Sequence, residues 1–313
     1  WWSPERLFDA EVHVCALGFQ RRPHGSSRLQ AASSSRRSAA EIGGHPVWTR
    51  VIAEHLGVPA LPRLHAAGTL GDRAGLNANF RDEYYGLVPA VGDDVAGPPL
   101  VTSGLIDPGR CHWGERPVRF AKRSFDAPRV DLDRLDARMR RWADRKLVPK
   151  VLVATQTTVV EAVVDASGAW LPGVPVTSVV PHDAVDIWGV DIWEVGAVLT
   201  SPVATAWAWH RAAGTGLSAR TLRLGPAFLA DLPWPTGDLS AAVAALRFGD
   251  VERCGDLVTD AYGVDRGDGG DGAMVQAWWL DRVRRLTLPR PTRRGGARGR
   301  PALDEPGRDP ASR

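Results

Sequence analysis

Residues 148–180, VPKVLVATQTTVVEAVVDASGAWLPGVPVTSVV, constrain the fold more than any other part of this chain. Alternation in VLVAT and TVVEAVV, an Ala-Ser-Gly break at 166–168 and a third run in VPVTSVV predict antiparallel strands joined as a meander. Lys150, Thr155, Gln156 and Thr157 fall where one apolar strand ends and the next begins, so a scaffold with a polar lip is expected. Gln can make paired hydrogen bonds to adenine, Thr offers a hydroxyl and a methyl to thymine, and Lys reaches phosphate. Such a lip suits contact with phosphates and base edges, and it lacks the paired acid and base of a catalytic cleft. The competing reading is an ordinary solvated sheet edge.

Helical periodicity flanks this scaffold. Leu132, Leu135, Met139 and Trp142 recur at three- and four-residue steps and predict one apolar stripe packed across the strands. Residues 192–200 and 202–213 read as consecutive helices with Trp193, Trp207 and Trp209 available for burial, the second ended by Gly214. Residues 46–56 read as a short helix stopped by Gly57 and Pro59. Amphipathic helices are expected at 239–248, 251–262 and 273–286, the last two separated by a glycine-aspartate run. Residues 8–19 alternate as a strand, whereas 21–40, rich in Ser, Arg and Ala without a period, predict a loop or linker.

A net charge of +3 over 313 residues is too small to identify a nucleic-acid binder, so the distribution of charge matters more. From Arg110 to Lys150 the cations outnumber the acids, and acids dominate from Asp231 to Asp271. The basic central band could follow a phosphate backbone, or pair with Asp126, Asp131, Asp133, Asp136 and Asp144 on a solvated helix. Three well-separated cysteines make neither a metal-ligand spacing nor a disulfide framework, which points to the cytoplasm. No apolar run spans a bilayer, so no membrane partner is expected.

Two segments carry further candidates for DNA contact. In FRDEYYG, Arg81 could reach guanine or phosphate and Tyr84 or Tyr85 could stack, from a loop or strand edge. The alternative places one tyrosine in the core and pairs Arg81 with Asp82 or Glu83. In TSGLIDPGRCHWG, two turn signals precede Arg110, His112 and Trp113, and a tight basic loop suits insertion toward a groove, although His112 and Trp113 also suit packing. His210 and Arg211, after the Trp-rich helix, are weaker phosphate candidates. No catalytic residue is expected, because the nucleophile elbow, the zinc-binding helix and the phosphate-binding glycine loop are all missing.

FDAEVHVCALGF, ANFRDEYYGLVP, PLVTSGLIDPGRCHWG, RWADRKLVPKVLVATQTTVVEAVVD and AVLTSPVATAWAWHRAAG occur in that order, followed by LADLPWP. Together they resemble the carboxyl-terminal, target-recognition part of an N-6 adenine-specific DNA methyltransferase of the gamma class, of actinobacterial restriction-modification type. The likeness covers most of residues 1–236. It implies double-stranded DNA as partner, a recognition domain whose 150–157 segment faces that DNA, and S-adenosylmethionine as the parent enzyme's cofactor. The family's glycine-rich cofactor loop and Asn/Asp-Pro-Pro-aromatic tetrapeptide are absent, and the chain opens on Trp1. A fragment is therefore expected, inactive alone, binding no cofactor or metal and working with a catalytic domain supplied in cis or in trans.

The expected fold class is α+β. Residues 1–76 would be a strand remnant of the methyltransferase sheet plus linker, and 77–236 a mixed, largely antiparallel recognition domain. A helical extension would follow at 237–288 and a disordered basic tail at 289–313. The alternative function is a structural, protein-interaction domain of a defence complex without DNA specificity of its own. A nuclease would need a cluster of acids for metal, and the acids here are scattered.

Overall fold

The computed structural model describes residues 29–33, 36–40, 48–79, 81–182, 190–218, 221–267 and 269–287. Its centre is a four-stranded antiparallel sheet of β1 (Ala74–Ala78), β2 (Lys150–Ala154), β3 (Ala162–Asp165) and β4 (Val176–Pro181), ordered β3-β2-β4-β1. The three predicted runs are all present, but the third pairs with the first, so the simple meander is corrected. Between β2 and β3 the chain leaves the sheet, and Gln156–Thr157 pairs instead with Leu222–Arg223. The break after β3 needs its glycine. Gly168 has φ +71, and a Cβ there would lie 2.6 Å from the Val148 carbonyl carbon.

Every residue of β2 is buried, so both faces of the sheet are covered. Strand alternation divides the core accordingly. Val151 and Val153 face one hydrophobic cluster with Val179 and Ala162. Leu152 and Ala154 face a second with Val163 and Val176.

The first cluster is roofed by helices. α4 (Ile192–Leu199) starts on a capping box of Asp191 and Glu194, and α5 (Pro202–Ala212) starts on the Ser201 cap with proline in its first turn. Alanines on α5 let neighbours approach from several sides, and α1 (Trp48–His55) is one of them. Three C-terminal helices complete the layer: α6 (Ser240–Arg247), α7 (Val251–Ala261) and α8 (Asp271–Thr287). All of these match the helices expected from periodicity. Ala53, Leu70, Val151, Trp209, Tyr262 and Val275 belong to one cluster, so the core runs across the boundaries expected at 76/77 and 236/237.

The second cluster is roofed by residues 81–147. α2 (Arg81–Leu87) packs on α3 (Ala137–Lys146), with Gly86 against the Met139 thioether. Leu87, Leu100, Leu105 and Leu152 are fully buried here, each contributing about 1.5–3 kcal/mol of hydrophobic stabilisation. The predicted stripe is split: Met139 and Trp142 are buried on α3, while Leu132 and Leu135 belong to the preceding turn and pack from its flank. Helix α3 starts where the Asp136 carboxylate accepts from the Met139 amide at 2.7 Å.

In the Ser/Arg-rich stretch, Leu29–Ser33 and Arg36–Ala40 pair antiparallel, correcting the expected loop. Backbone ladders need no apolar period, so polar sequence gave no sign of them. The strand expected at 8–19 and the tail at 289–313 lie outside the described residues. Among those residues the fold is mixed α+β, and no helix is long and apolar enough to cross a membrane.

Candidate nucleic-acid interface

Lys150 is not a phosphate contact. Its position on β2 points it, with Leu152, into the second core, where its Nζ lies 2.6 Å from Asp165 Oδ2 on the neighbouring strand. Both side chains are fully buried, and Lys150 also donates to the Val148 carbonyl at 3.0 Å. Asp165 in turn accepts from the Ala169 and Trp170 amides and the Ser167 hydroxyl, locking the turn after β3. Burial pulls the Lys150 ammonium below its ordinary value, and the Asp165 hydrogen bond opposes this.

The rest of the expected lip is mostly satisfied by the protein itself. Thr155 donates to the Pro175 carbonyl at 3.2 Å, and buried Thr157 donates to the Val159 carbonyl. Gln156 alone of the four is exposed.

The expected recognition loop at 102–114 is closed on itself. His112 bridges two carboxylates, Nε2 to Asp107 at 2.8 Å and Nδ1 to Glu115 at 3.0 Å. Arg110 pairs with Glu115 at 2.8 Å, and Arg116 grips Asp107 bidentately at 2.8 and 3.1 Å. Hydrogen bonds from His112 and Arg110 hold the Glu115 carboxyl below its usual value. Trp113 donates to the Pro128 carbonyl and carries the Arg129 guanidinium 4.6 Å above its ring. Each of Arg110, His112 and Trp113 therefore has an internal partner, with Arg110 still exposed beside Glu115.

FRDEYYG is helical over Arg81–Leu87 rather than a loop or strand edge. Tyr84 turns inward, its hydroxyl accepting from the Ala121 amide at 3.0 Å and its ring 4.8 Å from Phe120. Tyr85 is 58% exposed with Arg81 beside its ring, so this pair stays open to a ligand. His210 is tied to the Pro59 carbonyl at 2.7 Å. Arg211 is exposed and stacks on Trp207.

The basic band divides into paired and unpaired cations. Arg110, Arg116, Arg134, Arg140 and Lys150 have carboxylate partners. Arg119, Lys122, Arg141 and Arg145 are exposed and form no ion pair among the described residues. Arg123, also exposed, stacks on Phe125 at 5.0 Å. Three of these cations stand on a hairpin of Val118–Phe120 and Arg123–Phe125: Arg119 lies on the face opposite the buried Val118, Phe120 and Phe125, Lys122 is in the turn, and Arg123 shares the face of Phe125. Its two-residue turn places Ala121 at φ 49 and Lys122 at φ 65, where Asn-Gly is usual. The Tyr84 hydroxyl bond to Ala121 holds this unfavourable turn and sets Lys122 outward. Period-2 alternation of Val118 and Phe120 about Arg119 was the signal available in the sequence for this element.

No protein-family model and no curated protein matches this chain. Among the described residues no group of three or more His, Cys, Asp or Glu side chains is placed to hold a metal ion.

Proposed function

We propose that this chain is the DNA-recognition portion of an adenine-specific DNA methyltransferase, in a restriction-modification or related defence system. It holds duplex DNA while a catalytic domain outside these residues transfers the methyl group from S-adenosylmethionine. The ordered series of resembling segments supports this reading. The observation that carries it is the exposed set Arg81, Arg119, Lys122, Arg123, Arg141 and Arg145, free of carboxylate partners on the layer formed by α2, the hairpin and α3. Cations of this kind bind duplex DNA by releasing counterions, with log K falling by about 0.9 per phosphate neutralised for each tenfold rise in salt. Gln156 and the Arg81–Tyr85 pair remain the candidates for base or sugar contact.

Duplex binding measured between low and high salt tests the reading. A steep negative slope, reduced by Arg119→Glu with Arg141→Glu, is expected. A methyl-transfer assay should show turnover only when a catalytic partner is added. Salt-independent binding to a protein partner would favour the alternative interaction domain, for which Phe248 at 90% exposure and Leu217 at 82% offer apolar contact points.

A further inference from the structure

Helix α2 is held between two basic elements. Tyr84 packs on Phe120 and binds the Ala121 amide of the hairpin, while Gly86 lies against the Met139 thioether of α3. Positions two residues apart point about 200° apart on a helix, so the hairpin and α3 flank α2 on opposite sides. Arg81 and Tyr85 stand on the outward face between them, with Asp82 beside them, and all three are exposed. Arg138, Arg141 and Arg145 share one stripe of α3 by helical spacing, are exposed and form no ion pair among the described residues. Arg138 reaches the same Met139 sulfur at 3.7 Å, which draws this stripe toward α2, whereas Arg140 on the opposite flank is taken by Asp133 and Asp144. Across α2 from the stripe stand Lys122, in the hairpin turn, and Arg123, stacked on Phe125.

We infer that α2 faces the major groove of the duplex, with Arg81 and Tyr85 at the base edges and the two sets of cations on the phosphate backbones that wall the groove. This inference rests on the DNA-recognition reading above and names the element that reads. A helix with its side chains is about 10–12 Å thick, so it holds the two cation sets at least that far apart. The major groove is about 12 Å wide and the minor groove about 6 Å, and only the first fits. The acid on α2 agrees with this placement. Asp82 would be repelled by a phosphate track, whereas a base edge offers it the cytosine amino donor. Arg81, free of a carboxylate partner, presents the fork that fits guanine O6 and N7.

The full chain first selects a preferred duplex from a randomised pool. That duplex is then made with 7-deazapurines, which lack the N7 acceptor of the major groove, or with inosine for guanine, which lacks only the amino group of the minor groove. The 7-deazapurine duplex should bind about tenfold more weakly, and the inosine duplex as well as the parent. Arg81→Lys keeps the charge and loses the fork, so it should bring the selected and scrambled duplexes to the same affinity with the salt slope unchanged. Arg138→Gln with Arg141→Gln and Arg145→Gln should instead weaken both duplexes equally and lower the slope by up to about 2.7. Sensitivity to inosine but not to 7-deazapurines, or full preference retained in Arg81→Lys, overturns the inference. If the chain binds duplexes with a steep salt slope but selects none, only the groove assignment falls. If no salt-dependent duplex binding is found, the recognition reading falls and takes this inference with it.

Discussion

Lys150 and Asp165 face each other across adjacent strands at 2.6 Å, and neither side chain reaches solvent. Removing one partner leaves the other charge buried, which costs about 3–5 kcal/mol. Asp165→Asn should therefore destabilise strongly, and Lys150→Met less, because Asp165 keeps the Ala169 and Trp170 amides. A double-mutant cycle in urea measures the coupling. Weakened DNA binding at unchanged stability in Lys150→Met would return this lysine to the interface.

The Ala121–Lys122 turn carries two side chains in the left-handed region. Asn tolerates that region better than Ala. Ala121→Asn should raise stability by about 1 kcal/mol, read as a higher urea midpoint at constant slope. A lower midpoint would mean that the turn is not strained as described.

Gly237 joins residues 221–236 to the C-terminal helices. Its amide donates to the Ala261 carbonyl at 3.0 Å, and a Cβ there would lie 2.6 Å from Ala261 Cα. Backbone cannot yield as a flexible side chain can, so Gly237→Ala should cost about 1–3 kcal/mol. A neutral substitution would show that the two regions are less closely apposed.

Alkaline pH should loosen the helical layer. Burial pushes the Cys254 thiol up to about 12 and raises the Tyr262 phenol as well. Both groups remain protonated in the folded chain while the unfolded chain begins to ionise near about pH 8.5 and 10. The unfolded state then binds fewer protons, so stability falls as pH rises from about 8.5 toward 12, by up to about 1.4 kcal/mol per pH unit for each group. Below that window neither contributes a slope. Cys254→Ala should flatten the early part of the decline in urea midpoints collected from pH 7 to 10.

Helices were legible because their apolar faces repeat locally: α4, α5, α6, α7 and α8 fall within a few residues of the periodic segments. The DNA-contact candidates were less legible, because orientation depends on distant partners. Lys150 reads as a strand-end cation until Asp165 is known to sit opposite it. His112 reads as a loop residue until Asp107 and Glu115 close on it from either side. Arg119 and Lys122 look like any other cation of the basic band, since nothing local distinguishes a cation with a carboxylate partner from one without.

The Tyr262 hydroxyl donates to the Pro233 carbonyl at 2.6 Å, its own carbonyl accepts from the His65 amide, and the His65 carbonyl accepts from the Thr236 amide. Three stretches far apart in the chain are thus knotted into a single clasp. Cutting the chain after Pro235 would leave half of that clasp on each side, so any exchangeable unit of this fold has to carry the closing helices along with the central sheet.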